Sequence, residues 1–208
     1  MKLCSIILFS CLIATSCKQQ KAQEVKSKID SAAVVTKSET SDLDQSPLDI
    51  IYFPVKYPLL KMEGKADRLP LTRVIYSRPH KKGRSIFGES TSSLCPYGAP
   101  WRLGANEATE IEFFRDVKIE NKILPAGRYI LYCIPYQDHW QMIFNSNLYS
   151  WGLHIDKSMD IFKTSIPVIN LENSVENFTM NFEPSSNGAN LIMEWDNVKT
   201  VLPINFKN

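Results

Sequence analysis

The chain has 208 residues, 44% hydrophobic and 22% charged, which is enough for one well-buried domain plus a tail and excludes disorder throughout. Twenty-four Lys and Arg against 22 Asp and Glu leave a formal net charge of +2, so no overall field draws the chain to nucleic acid, and that partner is set aside. Eight glycines, twelve prolines and 11% aromatics suit an aromatic-rich β protein better than a helical bundle or a glycine-rich nucleotide fold.

Lys2 precedes an apolar run from Leu3 to Ile13, and Ala14-Thr15-Ser16 lead into Cys17. A charged start, a short apolar middle and small residues before a cysteine read as a secretory leader over residues 1–16, too short for a spanning helix of about twenty residues. The small residues ahead of Cys17 resemble the bacterial lipobox, in which the leader is cut and the new N-terminal cysteine acylated. Cys17 is therefore the expected lipidation site and the bilayer a partner through its acyl chains. Leu8-Phe9-Ser10-Cys11 is a rival with a very short apolar core. Two or three acyl chains would hold the protein firmly, since each buried methylene contributes about 0.8 kcal/mol.

Residues 17–47 contain no aromatic, and from Lys18 on they carry five Lys against five Asp and Glu, the composition of a flexible, lipid-anchored linker. Its start lacks an acid-rich run, which points to an outer-membrane lipoprotein facing the periplasm rather than an exported one. Asp30-Ser31-Ala32 matches an acceptor tripeptide for O-linked glycans, a weak signal beside the plain reading of an undecorated linker.

From Leu48 to Asn208 the hydrophobic period is two. Strands are expected over Leu71–Tyr76, Thr109–Phe114, Val117–Glu120, Arg128–Ile134, Trp140–Asn145 and Met159–Ile166. Further alternation places Phe178, Met180 and Phe182 on one face, then Leu191, Met193 and Trp195, then Val198, Thr200, Leu202, Ile204 and Phe206. Pro125-Ala126-Gly127 and Ser186-Asn187-Gly188 mark turns. Pro54 and Pro58 confine Ile51–Leu60 to an edge strand or extended wrap. Some nine short strands imply an all-β fold, an antiparallel β-sandwich of immunoglobulin-like or jelly-roll type. Cys95 and Cys133 are read as buried free thiols in preference to a disulfide.

Between Tyr76 and Asp116 the motifs crowd together: Ser77-Arg78-Pro79, Gly83-Arg84, Ile86-Phe87-Gly88, Pro96-Tyr97-Gly98 and Trp101-Arg102-Leu103-Gly104-Ala105-Asn106-Glu107-Ala108-Thr109. With Leu124-Pro125-Ala126-Gly127-Arg128-Tyr129 and Trp151-Gly152, they resemble the family called domain of unknown function 2911, over roughly Leu71 to Ile204. That family is found largely in Bacteroidetes envelope proteins. The resemblance implies a compact β domain on secreted or lipid-anchored chains and brings no established activity, cofactor or catalytic residue. The chain departs from the family in Leu103, where Thr is usual, and in an extra loop around Thr91.

Arg78, Arg84 and Arg102 are planar five-donor forks suited to carboxylate or phosphate. In one reading Arg102 pairs with Glu107 to pin a loop while Asn106 caps a turn. In the other, the forks converge on a pocket where Asn106 and Glu107 orient a polar or anionic ligand and Trp101 or Trp151 forms an aromatic wall. The ligand-binding set is then Arg78, Arg84, Arg102, Asn106, Glu107 and Trp151, and the partner a glycan, an anionic small molecule or an envelope protein. Two alternatives stand beside non-catalytic binding. One is an envelope hydrolase using Glu107, with Asp116 as its second carboxylate. The other is a purely structural cluster, with contacts made by the loop from Glu89 to Leu94. His80, His139 and His154 are scattered without ligand spacing, so neither a metal nor a cofactor is expected.

Overall fold

Burial alternates along the strands at 72–77, 109–113 and 117–119 of the computed structural model, which describes residues 46–206, while the strands at 127–135 and 139–145 are buried almost throughout. The expected leader, the expected lipidation site Cys17 and the expected linker as far as residue 45 fall outside the described residues. The strands are β1 (Leu48–Phe53), β2 (Thr72–Ser77), β3 (Phe87–Gly88), β4 (Cys95–Pro96), β5 (Thr109–Phe113), β6 (Val117–Ile119), β7 (Lys122–Leu124), β8 (Gly127–Pro135), β9 (His139–Asn145), β10 (Asp160–Ser185) and β11 (Gly188–Phe206). One short helix, α1 (Tyr57–Met62), follows β1. β3 and β4 form a parallel two-stranded piece; the other nine strands make one sheet in the order β1-β2-β5-β8-β9-β10-β11-β6-β7, with every pairing antiparallel.

The sheet closes over a single core because β10 and β11 each serve both layers. The first half of β10 pairs with β9, from Asp160↔Asn145 to Pro167↔His139; its second half pairs with β11, up to the Ser185↔Gly188 turn. Register shifts between Asn170 and Thr179 mark where β10 bends, and Asp196 at φ +52° lies opposite them on β11. β11 reverses on itself. Its 19 residues would stretch over roughly 60 Å if straight. Yet the Phe206 N–H donates to the Asn187 carbonyl at 3.1 Å, and a Cβ on Gly188 would stand 2.0 Å from the Ile204 carbonyl oxygen.

The outcome is an all-β, sandwich-like fold whose two layers belong to one folded sheet. Val74, Ile111, Leu131 and Phe144 from one layer meet Phe178, Met180, Leu191, Leu202 and Ile204 from the other. Rings bridge the layers: Tyr76 meets Phe178 edge-on at 5.7 Å and Trp101 stacks on Trp195 at 5.6 Å. Each such fully buried side chain contributes about 2–3 kcal/mol. The core is drawn entirely from residues between Val74 and Ile204, and Asp42–Asn208 forms a compact unit by itself, so this part carries what it needs to fold.

Three expectations need correction. The segment Ile51–Leu60 is an edge strand that ends at Phe53 and then a six-residue helix, because Pro58 occupies the first turn, where a helix needs no N–H donor. The strands expected at 159–166 and 178–182 are one 26-residue strand, bent rather than interrupted. β6 stops at Ile119, since Glu120 adopts φ +49° in the turn that starts the unforeseen β7.

Beyond Val168↔Thr200 the ladder between β10 and β11 stops, and β6 takes over at Asn205 and Phe206. The two strands part around an apolar groove of about 420 Å³ lined by Ile119, Ile166, Pro167, Val201, Leu202 and Pro203 among others.

Candidate functional site

Strand β8 fixes the site. Its first half pairs with β5, up to Thr109↔Leu131; at Cys133 the place beside it is taken by Trp101, which exchanges two backbone hydrogen bonds of 2.7 and 2.9 Å with Cys133. Insertion in the ladder turns the Trp101 ring inward, where it meets Phe178 at 4.9 Å, Trp140 at 5.5 Å and Phe87 at 5.7 Å. Trp140 is fully buried in the core.

The chain then leaves the sheet for seven residues before β5. Leu103 at φ +55° and Asn106 at φ +60° hold left-handed conformations that non-glycine residues seldom adopt. Side-chain donors that meet backbone carbonyls help to fix the loop. The Thr109 hydroxyl donates to the Leu103 carbonyl at 2.8 Å, the Trp101 indole N–H donates to the Gly104 carbonyl at 3.3 Å, and Glu107 makes an antiparallel bridge to Trp151. Leu103 is fully buried, so its aliphatic side chain points into the core.

That bridge lays the segment after Trp151 across the loop. Gly152 is required by close approach: a Cβ there would stand 2.2 Å from Cδ of Arg102 and 2.9 Å from the Asn106 carbonyl oxygen. The Arg102 side chain runs over this glycine and forms part of the wall of two adjoining clefts. The first, about 300 Å³, is lined by Leu94, Cys95, Pro96, Trp101, Leu153, Ile155 and Lys157. The second, about 280 Å³, is lined by Pro79, Arg84, Leu94, Trp101, Ala105 and Leu153. Three cations, Arg84, Arg102 and Lys157, line the pair, and no carboxylate does so among the described residues.

Of the residues singled out from the sequence, the fold brings Arg84 and Arg102 to the clefts. Arg84 is exposed and is held by the Lys81 carbonyl at 3.0 Å and by the His80 carbonyl. Arg78 stands apart: its guanidinium reaches Asp49 at 3.5 Å and the Thr179 hydroxyl at 3.4 Å, tying β2 to β1 and β10. Asn106, Glu107 and Trp151 sit together on the rim, outside the lining of either cleft, with Glu107 exposed and Trp151 half-exposed. Glu107 and Asp116 flank opposite ends of β5, a strand of about 13 Å, and Asp116 accepts the Ala126 N–H at 3.0 Å. That separation exceeds the roughly 5–10 Å between glycosidase carboxylates, so the proposed pair is not formed.

Lys157, Leu153 and Ile155 were missed. The signal was available, because Leu153, Ile155 and Lys157 alternate after Trp151 and all face the first cleft. Cys95 forms part of that cleft's wall and Cys133 lies beneath; both are buried and free. Burial pushes the Cys95 thiol well up, and Arg102 and Arg84 only partly offset it. Burial likewise raises Cys133. Neither thiol is a ready nucleophile. Among the described residues no group of His, Cys, Asp and Glu is arranged to hold a metal ion.

No curated protein and no solved structure matches the chain. The family described as protein of unknown function (DUF2911) matches residues 61–204, from the end of α1 to the last core residue of β11. With more than half of its length inside that match and every motif from Ser77-Arg78-Pro79 to Trp151-Gly152 within it, the chain belongs to the DUF2911 family.

Proposed function

We propose that this is a cell-envelope protein, anchored by acyl chains on Cys17 in the outer membrane and facing the periplasm, whose β-sandwich binds an anionic ligand without turning it over. The observation that carries the reading is the twin cleft. Arg102 runs between two hollows, with Arg84 at one, Lys157 at the other, and Leu94, Trp101 and Leu153 shared by both. Guanidinium forks recognise carboxylate and phosphate, and the apolar walls suit a ligand that carries such a group on a partly apolar body, such as an acidic envelope glycan or a peptide. Binding is favoured over hydrolysis because Glu107 stands on the rim and Asp116 lies at the far end of β5.

A thermal-shift screen of Asp42–Asn208 against sugar acids, sugar phosphates and acidic peptides tests this. A ligand at a hundred times its Kd stabilises by about 2.7 kcal/mol, several degrees in Tm for a domain of this size. Lys157→Ala, at an exposed position, should leave the unliganded Tm in place and reduce the shift, and Arg84→Ala likewise. Silence across all anions, or shifts that ignore both substitutions, would reject the site. The anchor is tested separately: fatty-acid label on the full chain should vanish in Cys17→Ala.

A further inference from the structure

The short helix α1 buries none of its six residues. Val55 in the turn before it, Leu59 and Met62 follow the spacing i, i+4, i+7, which aligns them on one face. That face points to solvent, with Val55 57%, Leu59 48% and Met62 79% exposed, and Leu69 in the following loop 69% exposed. At about 100° per residue, Lys56 borders the stripe on one side, Lys61 lies past its other side towards the far face, and Tyr57 faces the opposite way, where it meets Tyr52 of β1 at 5.5 Å. Tyr52 shares its strand face with Leu48 and Ile50, which are also exposed. Lys65 is engaged by Glu63 at 2.9 Å, whereas Lys56 and Lys61 make no ion pair among the described residues. An isolated exposed Leu needs no explanation; an aligned stripe of this kind bordered by a lysine does.

We propose that this corner of the domain lies on an anionic bilayer surface, with Val55, Leu59 and Met62 entering the headgroup–acyl boundary and Lys56 and Lys61 reaching the lipid phosphates. An apolar face edged by lysines is the pattern of helices that lie in the plane of an interface, where the aliphatic stems of lysine are buried and the ammonium groups meet anionic lipid. The choice of a bilayer as occupant rests on the Cys17 anchor of the preceding section, which would keep the domain within reach of lipid. Two or three acyl chains would already hold the protein firmly, so this second, weak contact sets the orientation of the domain on the surface.

The test uses Asp42–Asn208, which has neither leader nor acyl chain, so its result is independent of whether Cys17 is modified. It is sedimented with vesicles of phosphatidylethanolamine and phosphatidylglycerol, and with phosphatidylcholine vesicles. Binding is expected to the anionic vesicles, weaker by tenfold or more on phosphatidylcholine or in high salt, and lost in Val55→Ser/Leu59→Ser/Met62→Ser and in Lys56→Glu/Lys61→Glu with Tm unchanged. If the triple variant does not fold, Met62→Asp at the most exposed position replaces it. Absence of binding by the unmodified domain, or binding that survives these substitutions, overturns the proposal. So does a dimer in sedimentation velocity that the triple variant dissolves while vesicles stay unbound, since the stripe would then cover a second copy.

Discussion

The Tyr76 hydroxyl, inside the core, accepts the Met180 N–H at 2.9 Å and lies 3.3 Å from the Met180 carbonyl and 3.4 Å from Asp49. Burial, opposed by the Met180 backbone bond and aided by Asp49, pushes its phenol up to about 12. Tyr76→Phe keeps the ring against Phe178 and leaves the Met180 N–H unsatisfied, so urea unfolding should show a loss of about 1–3 kcal/mol. A loss near zero would mean that another donor–acceptor arrangement replaces it. Asp160 offers a second test. Burial would raise its carboxyl, but hydrogen bonds from Asn145, Lys163 and Tyr132 outweigh that and hold it below the ordinary range. A depressed carboxylate stabilises above its unfolded value of about 3.9, and that stability is lost as pH falls through the folded value. Asp160→Asn should therefore lower Tm at neutral pH and flatten the decline below about pH 4. At this scale the sequence was only partly legible. It marked Arg84 and Arg102 as forks, but nothing local revealed that Arg78 would turn to Asp49 and Thr179, 101 residues away in the chain for the second.

Among the elements, the β10–β11 ribbon decides how the sheet becomes two layers. Its return packs Gly188 against the backbone of Ile204 and Asn205, with a Cβ 2.0 Å from one carbonyl oxygen and 2.9 Å from the Asn205 Cα. Backbone held in a ladder yields less readily than a flexible side chain, so Gly188→Ala should cost more than about 2 kcal/mol by chemical denaturation. Ser185→Ala, at the same turn but without such a contact, serves as the control. Alternation located most of the strands, because a half-buried strand shows its face every second residue. It could not show that 160–185 is continuous, since the strand is bulged and bent between Asn170 and Thr179. β1 and α1 were blurred together because Ile51, Tyr52, Phe53 and Tyr57 carry no period long enough to separate strand from helix.

For the molecule as a whole, one core shared by both layers predicts a single cooperative transition, with tryptophan fluorescence and far-ultraviolet dichroism coinciding. Two separate transitions would show that the layers fold independently. The alkaline limit follows from the buried acids. Cys95, Cys133, Tyr76 and Tyr132 are all pushed up chiefly by burial, so each stays neutral in the folded chain while its unfolded counterpart ionises. Stability is then full below about pH 8 and declines as pH rises past the unfolded thiol value of about 8.5. Tm measured from pH 7 to 10 should fall accordingly, and Cys133→Ala should reduce the slope. The groove where β10 and β11 part has a consequence for contact between molecules. Two strands that separate offer main-chain sites to any neighbour, yet Pro167 and Pro203 stand on its walls and neither can donate there. This opening is thereby poorly suited to templating fibrils, and exchanging Pro203 for threonine should raise the tendency of concentrated protein to assemble into them.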